Sequence, residues 1–366
     1  MKKKIFITLL LIILNISCIG KPNIQQTPEP SLSITYTAQP TNTPTIEPTV
    51  EPTPEITLKP TAIQTPVPTS KPKPTEIPTT TYKNKYYRLK IYDENNNKVK
   101  TLKFEETVQF IDSNKNTARI LYNEKICHCD ASALVPVDEI LYGYLDLTKY
   151  GIDSCLVDVR IFIPDVEVEQ LLGTTNNCTG TILYENPVPV LRIETVKKLQ
   201  NAAKVFAGSG HRIKIYDVYR PKSAQFAMYD VVQNSAYVSN PYRKSSNHNR
   251  AKAIDMALID MNGNELSFPS PMHTFERIVY RDQADKWTAE QRNNVNYMTY
   301  VMEECGFTII PSEWWHFADS ASDFPVLSYN KNGKEYYIEM NAKDIPRYTY
   351  DELMKILLEK YPEYFN

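Results

Sequence analysis

The chain has 366 residues, enough for two domains and a tail, and 41 basic against 43 acidic residues leave a net charge of −2. That balance, with no basic block, excludes nucleic acid as an expected partner. Tyrosine is abundant, at 25 residues, and glycine is scarce, at 10.

Lys2, Lys3 and Lys4 precede a short apolar run from Ile5 to Ile16. Roughly 20 apolar residues are needed to span a bilayer, so this run reads as an export signal. It ends at Asn15-Ile16-Ser17-Cys18. A small residue just before Cys resembles a bacterial lipoprotein signal, although Asn15 stands where a Leu-like residue is usual. Residues 1–18 are therefore read as a lipoprotein-type signal peptide. The resemblance implies lipidation at Cys18 and a membrane anchor on the outer face of the cell, in the cell-wall space.

Residues 19–81 read as a disordered linker. Fourteen of the chain's 26 prolines fall between Pro22 and Pro78, interleaved with Thr. Pro removes backbone donors, and the apolar content is too low to offset chain entropy. A semi-extended tether suits a domain held away from a membrane.

Residues 82–135 change character. Tyr86 to Tyr92 alternates like a strand, Glu94-Asn95-Asn96-Asn97 signals a turn, and Thr107–Ile111 and Thr117–Tyr122 are further short strands. Several short strands in so short a stretch predict a small β-barrel. Their order resembles bacterial SH3-like wall-associated modules, with Arg119 to Lys125 as a hairpin and Ala131 to Leu134 as the closing turn. The glycine usual in that hairpin is absent here. The resemblance implies peptidoglycan as a partner. Cys127-His128-Cys129 has poor spacing for a closed zinc site and reads as part of a strand. After Cys18 five cysteines remain, an odd number that cannot pair completely.

Residues 136–345 form the main domain. Val196, Leu199, Ala202, Ala203 and Phe206 recur at helical spacing, which predicts a helix over Ile193–Ala207. Arg212–Tyr219 follows as a strand, and Pro221 opens a helix running to about Asn234. Ala289–Cys305 reads as another helix, ended by Gly306, and Phe307–Ile310 as a strand. Helices and strands mix without a regular βαβ repeat, so the expected class is α+β. Over 346–366, a last helix at Tyr350–Lys360 reads as peripheral.

Within this domain, His248 and Asp255 lie seven residues apart, an odd spacing that puts the two on opposite faces of one strand. His248 is therefore expected in the loop entering a strand that carries Asp255. Asp255 sits in Ala253-Ile254-Asp255-Met256-Ala257-Leu258, and a buried acid is costly unless it is paired or holds a metal. Glu313-Trp314-Trp315-His316 adds a carboxylate and an imidazole at i, i+3, which share a strand face only if a bulge intervenes. Trp314 and Trp315 read as walls of a cleft. Arg220 falls between a strand and a helix, where its guanidinium can stabilise an oxyanion, with Asp217 orienting it. Two imidazoles and one carboxylate, with a carboxylate to spare, suit a catalytic zinc site.

These segments together resemble the D-alanyl-D-alanine dipeptidase family, over about residues 139–330. The similarity includes Asn176-Asn177-Cys178-Thr179-Gly180, Tyr219-Arg220-Pro221-Lys222, Ser246 to Asp255, Pro271-Met272-His273-Thr274-Phe275, and Glu313 to His316. It implies the hedgehog-like α+β fold of the D-Ala-D-Ala metallopeptidases and one Zn2+ per domain, held by His248, Asp255 and His316. It further implies Glu313 as general base, Arg220 as transition-state arginine and Ser246 as a substrate contact, acting on D-Ala-D-Ala or related wall-derived D-peptides. Ala251 and His273 stand where the family has glycine; a left-handed backbone at Ala251 would cost about 1 kcal/mol. Two other readings stay open: a carboxypeptidase or endopeptidase on peptidoglycan stem peptides, and a non-catalytic wall-binding lipoprotein.

Overall fold

The computed structural model describes residues 78–321 and 324–365. The signal segment with Cys18, and the linker as far as residue 77, lie outside the described residues.

Seven short strands come first: β1 (Thr80–Asn84), β2 (Arg88–Asp93), β3 (Lys98–Lys103), β4 (Thr107–Ser113), β5 (Thr117–Tyr122), β6 (Lys125–Asp130) and β7 (Leu134–Pro136). β1 therefore takes in residues 80 and 81, which the proline pattern assigns to the linker. All pairs are antiparallel, in the order β3-β2-β6-β5-β4-β1-β7. Alternation drives Leu89, Ile91, Ala118, Ile120, Cys127 and Cys129 into one small core. His128, between the two cysteines, points the other way and stacks on Tyr92 at 5.8 Å between centroids. The Cys-His-Cys run is thus an ordinary strand, and its thiols are free. The β5–β6 hairpin turns without glycine because Asn123 and Glu124 both take positive φ, 48° and 62°.

The larger part of the chain follows. Its elements are β8 (Tyr142–Asp146), β9 (Cys155–Asp158), β10 (Glu167–Val168), β11 (Val190–Arg192), α1 (Ile193–Gly208), β12 (His211–Asp217), α2 (Lys222–Val232), β13 (Ala253–Asp260), α3 (Ala289–Glu304), β14 (Phe307–Ile310) and β15 (Glu313–Asp319). A hairpin, β16 (Ser328–Lys331) and β17 (Lys334–Tyr337), then leads to β18 (Arg347–Tyr348) and α4 (Tyr350–Lys360). The architecture is mixed α+β. A five-stranded sheet, β10-β12-β13-β15-β14, carries β13 at its centre, and a second sheet runs β11-β9-β8-β18. β13 is buried along nearly its whole length, as its run of Ala, Ile, Met and Leu requires. α1 and α3 pack on this sheet through Val196, Leu199, Ala202 and Phe206, and through Val295, Met298, Val301 and Met302. Thr288 and Gln291 form a capping box that starts α3, and Gly306, at φ 86°, lets the chain leave it.

The C-terminal helix is not peripheral. β18 pairs with β8, aligning Arg347 with Gly143 and Tyr348 with Tyr142. Leu353 and Leu357 are fully buried in the main core. Lys85 of the β module also reaches Glu352 at 2.5 Å. Leu353, Met354, Ile356 and Leu357 give α4 an apolar face, and the strand pairing before it turns that face onto the core.

Candidate active site

Strand register builds the site. Across the five-stranded sheet Asp217 on β12 faces Asp255 on β13, which faces His316 on β15. The first alignment depends on a register shift between Ile215 and Asp217, which puts the second acid in the same row. His248 enters from a 3-10 turn, His248–Arg250, just before β13. Its Nδ1 donates to the Val218 carbonyl at 2.7 Å, which leaves Nε2 facing Asp255 and His316. The His248 backbone N–H donates to Ser246 Oγ at 3.2 Å, and Asn249 ties the same turn to the Arg220 carbonyl at 2.9 Å.

Three donor atoms converge. His248 Nε2 lies 3.2 Å from His316 Nδ1 and 3.4 Å from Asp255 Oδ1, and His316 Nδ1 lies 2.9 Å from the same oxygen. A tetrahedral zinc ion with bonds near 2.0–2.1 Å wants its ligands about 3.3 Å apart, so donor type and spacing both fit. This trio is the one group of metal-ligating side chains that converges among the described residues. Burial alone would raise the Asp255 carboxyl, but His248, His273 and His316 hold it well below its ordinary range.

Glu313 stands beside the trio, with Oε2 3.8 Å from His316 Nδ1 and its side chain 13% exposed. The register of β14 and β15 shifts after Ile309, so that Ile310 faces Glu313, and the bulge puts Glu313 and His316 on one side. Burial pushes its carboxyl up to about 7, with His316 and Arg220 pulling it down and Asp255 adding to the rise. Arg281 holds this edge in place by donating to the carbonyls of Glu313 and Trp314, at 3.2 and 2.8 Å.

Arg220 is buried in the loop between β12 and α2. It pairs with Asp217 at 2.5 Å, lies 3.5 Å from Asp255 Oδ2 and donates to Gln225 Oε1 at 2.9 Å. Burial by itself would lower its pKa, yet the two carboxylates hold it above the usual range. Arg220, His248, Asp255, Glu313 and His316 line one cavity of about 740 Å³, with Ser246 and Trp315 on its wall.

Trp314 departs from expectation. It stacks on Phe268 at 4.5 Å, fully buried, and does not line the cavity, because strand alternation turns it away from Trp315. Residue patterning also misses Arg281, Asn249 and Gln225, since each acts through a backbone or side-chain partner that only the fold brings near.

A family model described as D-ala-D-ala dipeptidase matches residues 153–335. The D-alanyl-D-alanine dipeptidase of Escherichia coli is 31% identical over 174 residues, 47% of this chain and 89% of that protein. The chain belongs to the D-ala-D-ala dipeptidase family. The enzyme of the same name from Enterococcus faecium is 27% identical over 180 residues, 42% of this chain and 89% of its own length. This member of the dipeptidase family is thus a peptidase, with a possible metal site of His, Asp and His. Ala251 and His273 share one conformation: both hold left-handed backbone, at φ 54° and 56°. The turn at Ala251 survives, since its N–H donates to the His248 carbonyl at 3.1 Å, and His248 still reaches the trio.

Proposed function

We propose that the protein is a zinc-dependent D,D-peptidase that hydrolyses D-Ala-D-Ala or a closely related wall-derived D-peptide. The observation that carries this reading is the convergence of His248, Asp255 and His316 within 2.9–3.4 Å, with Glu313 3.8 Å away. Zinc bound there would lower the pKa of a water and polarise the scissile carbonyl. Glu313 takes the proton of the attacking water and returns it to the leaving amine. Arg220 donates to the oxygen on which charge develops, and Asp217 fixes the guanidinium for that task. Ser246, on the cavity wall, contacts the peptide.

The relatives are named for the dipeptide, which favours it as substrate. Lys2–Lys4, the apolar run and Cys18 support export and lipid anchoring, and the Pro/Thr-rich stretch supports a tether in the wall space. The seven-stranded module is read as SH3-like and as a wall-binding element. Localisation outside the cell favours turnover of wall fragments over interception of cytoplasmic precursors. Zinc content, with hydrolysis of free D-Ala-D-Ala and of a pentapeptide stem, tests the reading. About one equivalent of zinc and release of D-Ala from the dipeptide are expected; release from the stem alone rejects the dipeptidase assignment, and absence of both zinc and hydrolysis rejects the enzyme.

A further inference from the structure

His273 is one of several polar side chains that line the cavity and that this chemistry leaves unused. His273 lies between β13 and α3 with φ at 56°, a backbone region that non-glycine residues seldom occupy. Its side chain is 5% exposed, and neither ring nitrogen has a hydrogen-bond partner. Buried polar atoms are nearly always paired, so two idle nitrogens in one cavity point to a partner engaged in the working state.

Asp255 supplies that partner. Its Oδ1 faces His316 and His248, at 2.9 and 3.4 Å. Its Oδ2 faces away from them, 3.5 Å from Arg220 and 3.7 Å from His273 Nε2. His273 is not one of the three converging donors. Its Nε2 needs to close by only about 0.7 Å to reach ordinary hydrogen-bond range.

We propose that His273 is a positioning residue: it donates from Nε2 to Asp255 Oδ2 and, together with Arg220, holds Oδ1 toward the ion. The inference rests on the metal reading of His248, Asp255 and His316. Hydrogen bonds to the outer oxygen of a ligand carboxylate orient it, and their loss typically weakens metal binding 10–100-fold.

The test is zinc affinity, measured on the full chain by competition with a chromophoric chelator. H273G relaxes the left-handed backbone and removes the ring. H273F keeps the ring volume without a donor, and H273Q keeps a donor at the reach of Nε2. The zinc Kd is expected to rise about 10–100-fold in H273G and H273F and to stay within about threefold of the parent in H273Q. Should H273F fail to fold, H273G and H273Q decide. Parent-like zinc affinity in H273G overturns the proposal, and so does a loss in H273Q equal to that in H273G. A higher KM in H273G at unchanged zinc affinity assigns the imidazole to the substrate and also overturns it. A parent that binds no zinc refutes the metal site itself, which separates the two failures.

Discussion

Glu313→Gln is expected to stabilise the zinc-stripped protein, and to do so in a pH-dependent way. The fold encloses this carboxylate beside Asp255 and pushes its pKa from 4.5 up to about 7. At about 1.4 kcal/mol for each pH unit, holding the ionised form costs on the order of 3 kcal/mol. The sign follows from linkage. Below about pH 4.5 the carboxyl is neutral in both folded and unfolded chains, and the substitution changes little. From there to about pH 7 the unfolded chain ionises while the folded one keeps its proton, so the parent loses stability as pH rises. Above about pH 7 the full difference is present. Urea unfolding of the zinc-stripped parent and E313Q should therefore give a gain of about 3 kcal/mol at pH 8 and under about 1 kcal/mol at pH 5. Zinc should shrink the gain at pH 8, because a nearby cation favours the carboxylate. A gain equal at both pH values, or a loss at pH 8, would refute the burial argument.

Arg220→Ala leaves Asp217 buried without its cation, and should cost about 3–5 kcal/mol in urea unfolding. Adding Asp217→Asn should recover at least half of that loss, on the order of 2 kcal/mol, without restoring hydrolysis; a single-variant cost below about 1 kcal/mol would contradict the pairing. Leu357→Ala empties a fully buried position of α4 and should cost about 2–5 kcal/mol, whereas a detached C-terminal helix would lose almost nothing.

Much of the site is visible in residue spacing. His248 and Asp255, seven positions apart, cannot share one strand face, and the structure puts His248 in a 3-10 turn and Asp255 on β13. The i, i+3 spacing of Glu313 and His316 calls for a bulge, and β14–β15 has the register shift. What spacing does not carry is cross-strand alignment. The row Asp217, Asp255, His316 depends on a shift in β12 that no local pattern announces. The same limit explains Trp314, a core residue stacked on Phe268 from a distant segment, and α4, whose place follows from the pairing of β18 with β8. The left-handed backbone at Ala251 and His273 escapes residue preferences altogether, since both positions keep a glycine's conformation with a side chain attached.

One experiment tests the central claim most directly: zinc content and D-Ala-D-Ala hydrolysis, measured together on the parent, Glu313→Ala and His248→Ala. The parent is expected to hold about one zinc and to release D-Ala. Glu313→Ala should keep its zinc while losing roughly 10²–10⁴-fold in kcat, and His248→Ala should lose the metal. Parent-like hydrolysis by Glu313→Ala, or full zinc occupancy in His248→Ala, would contradict the account.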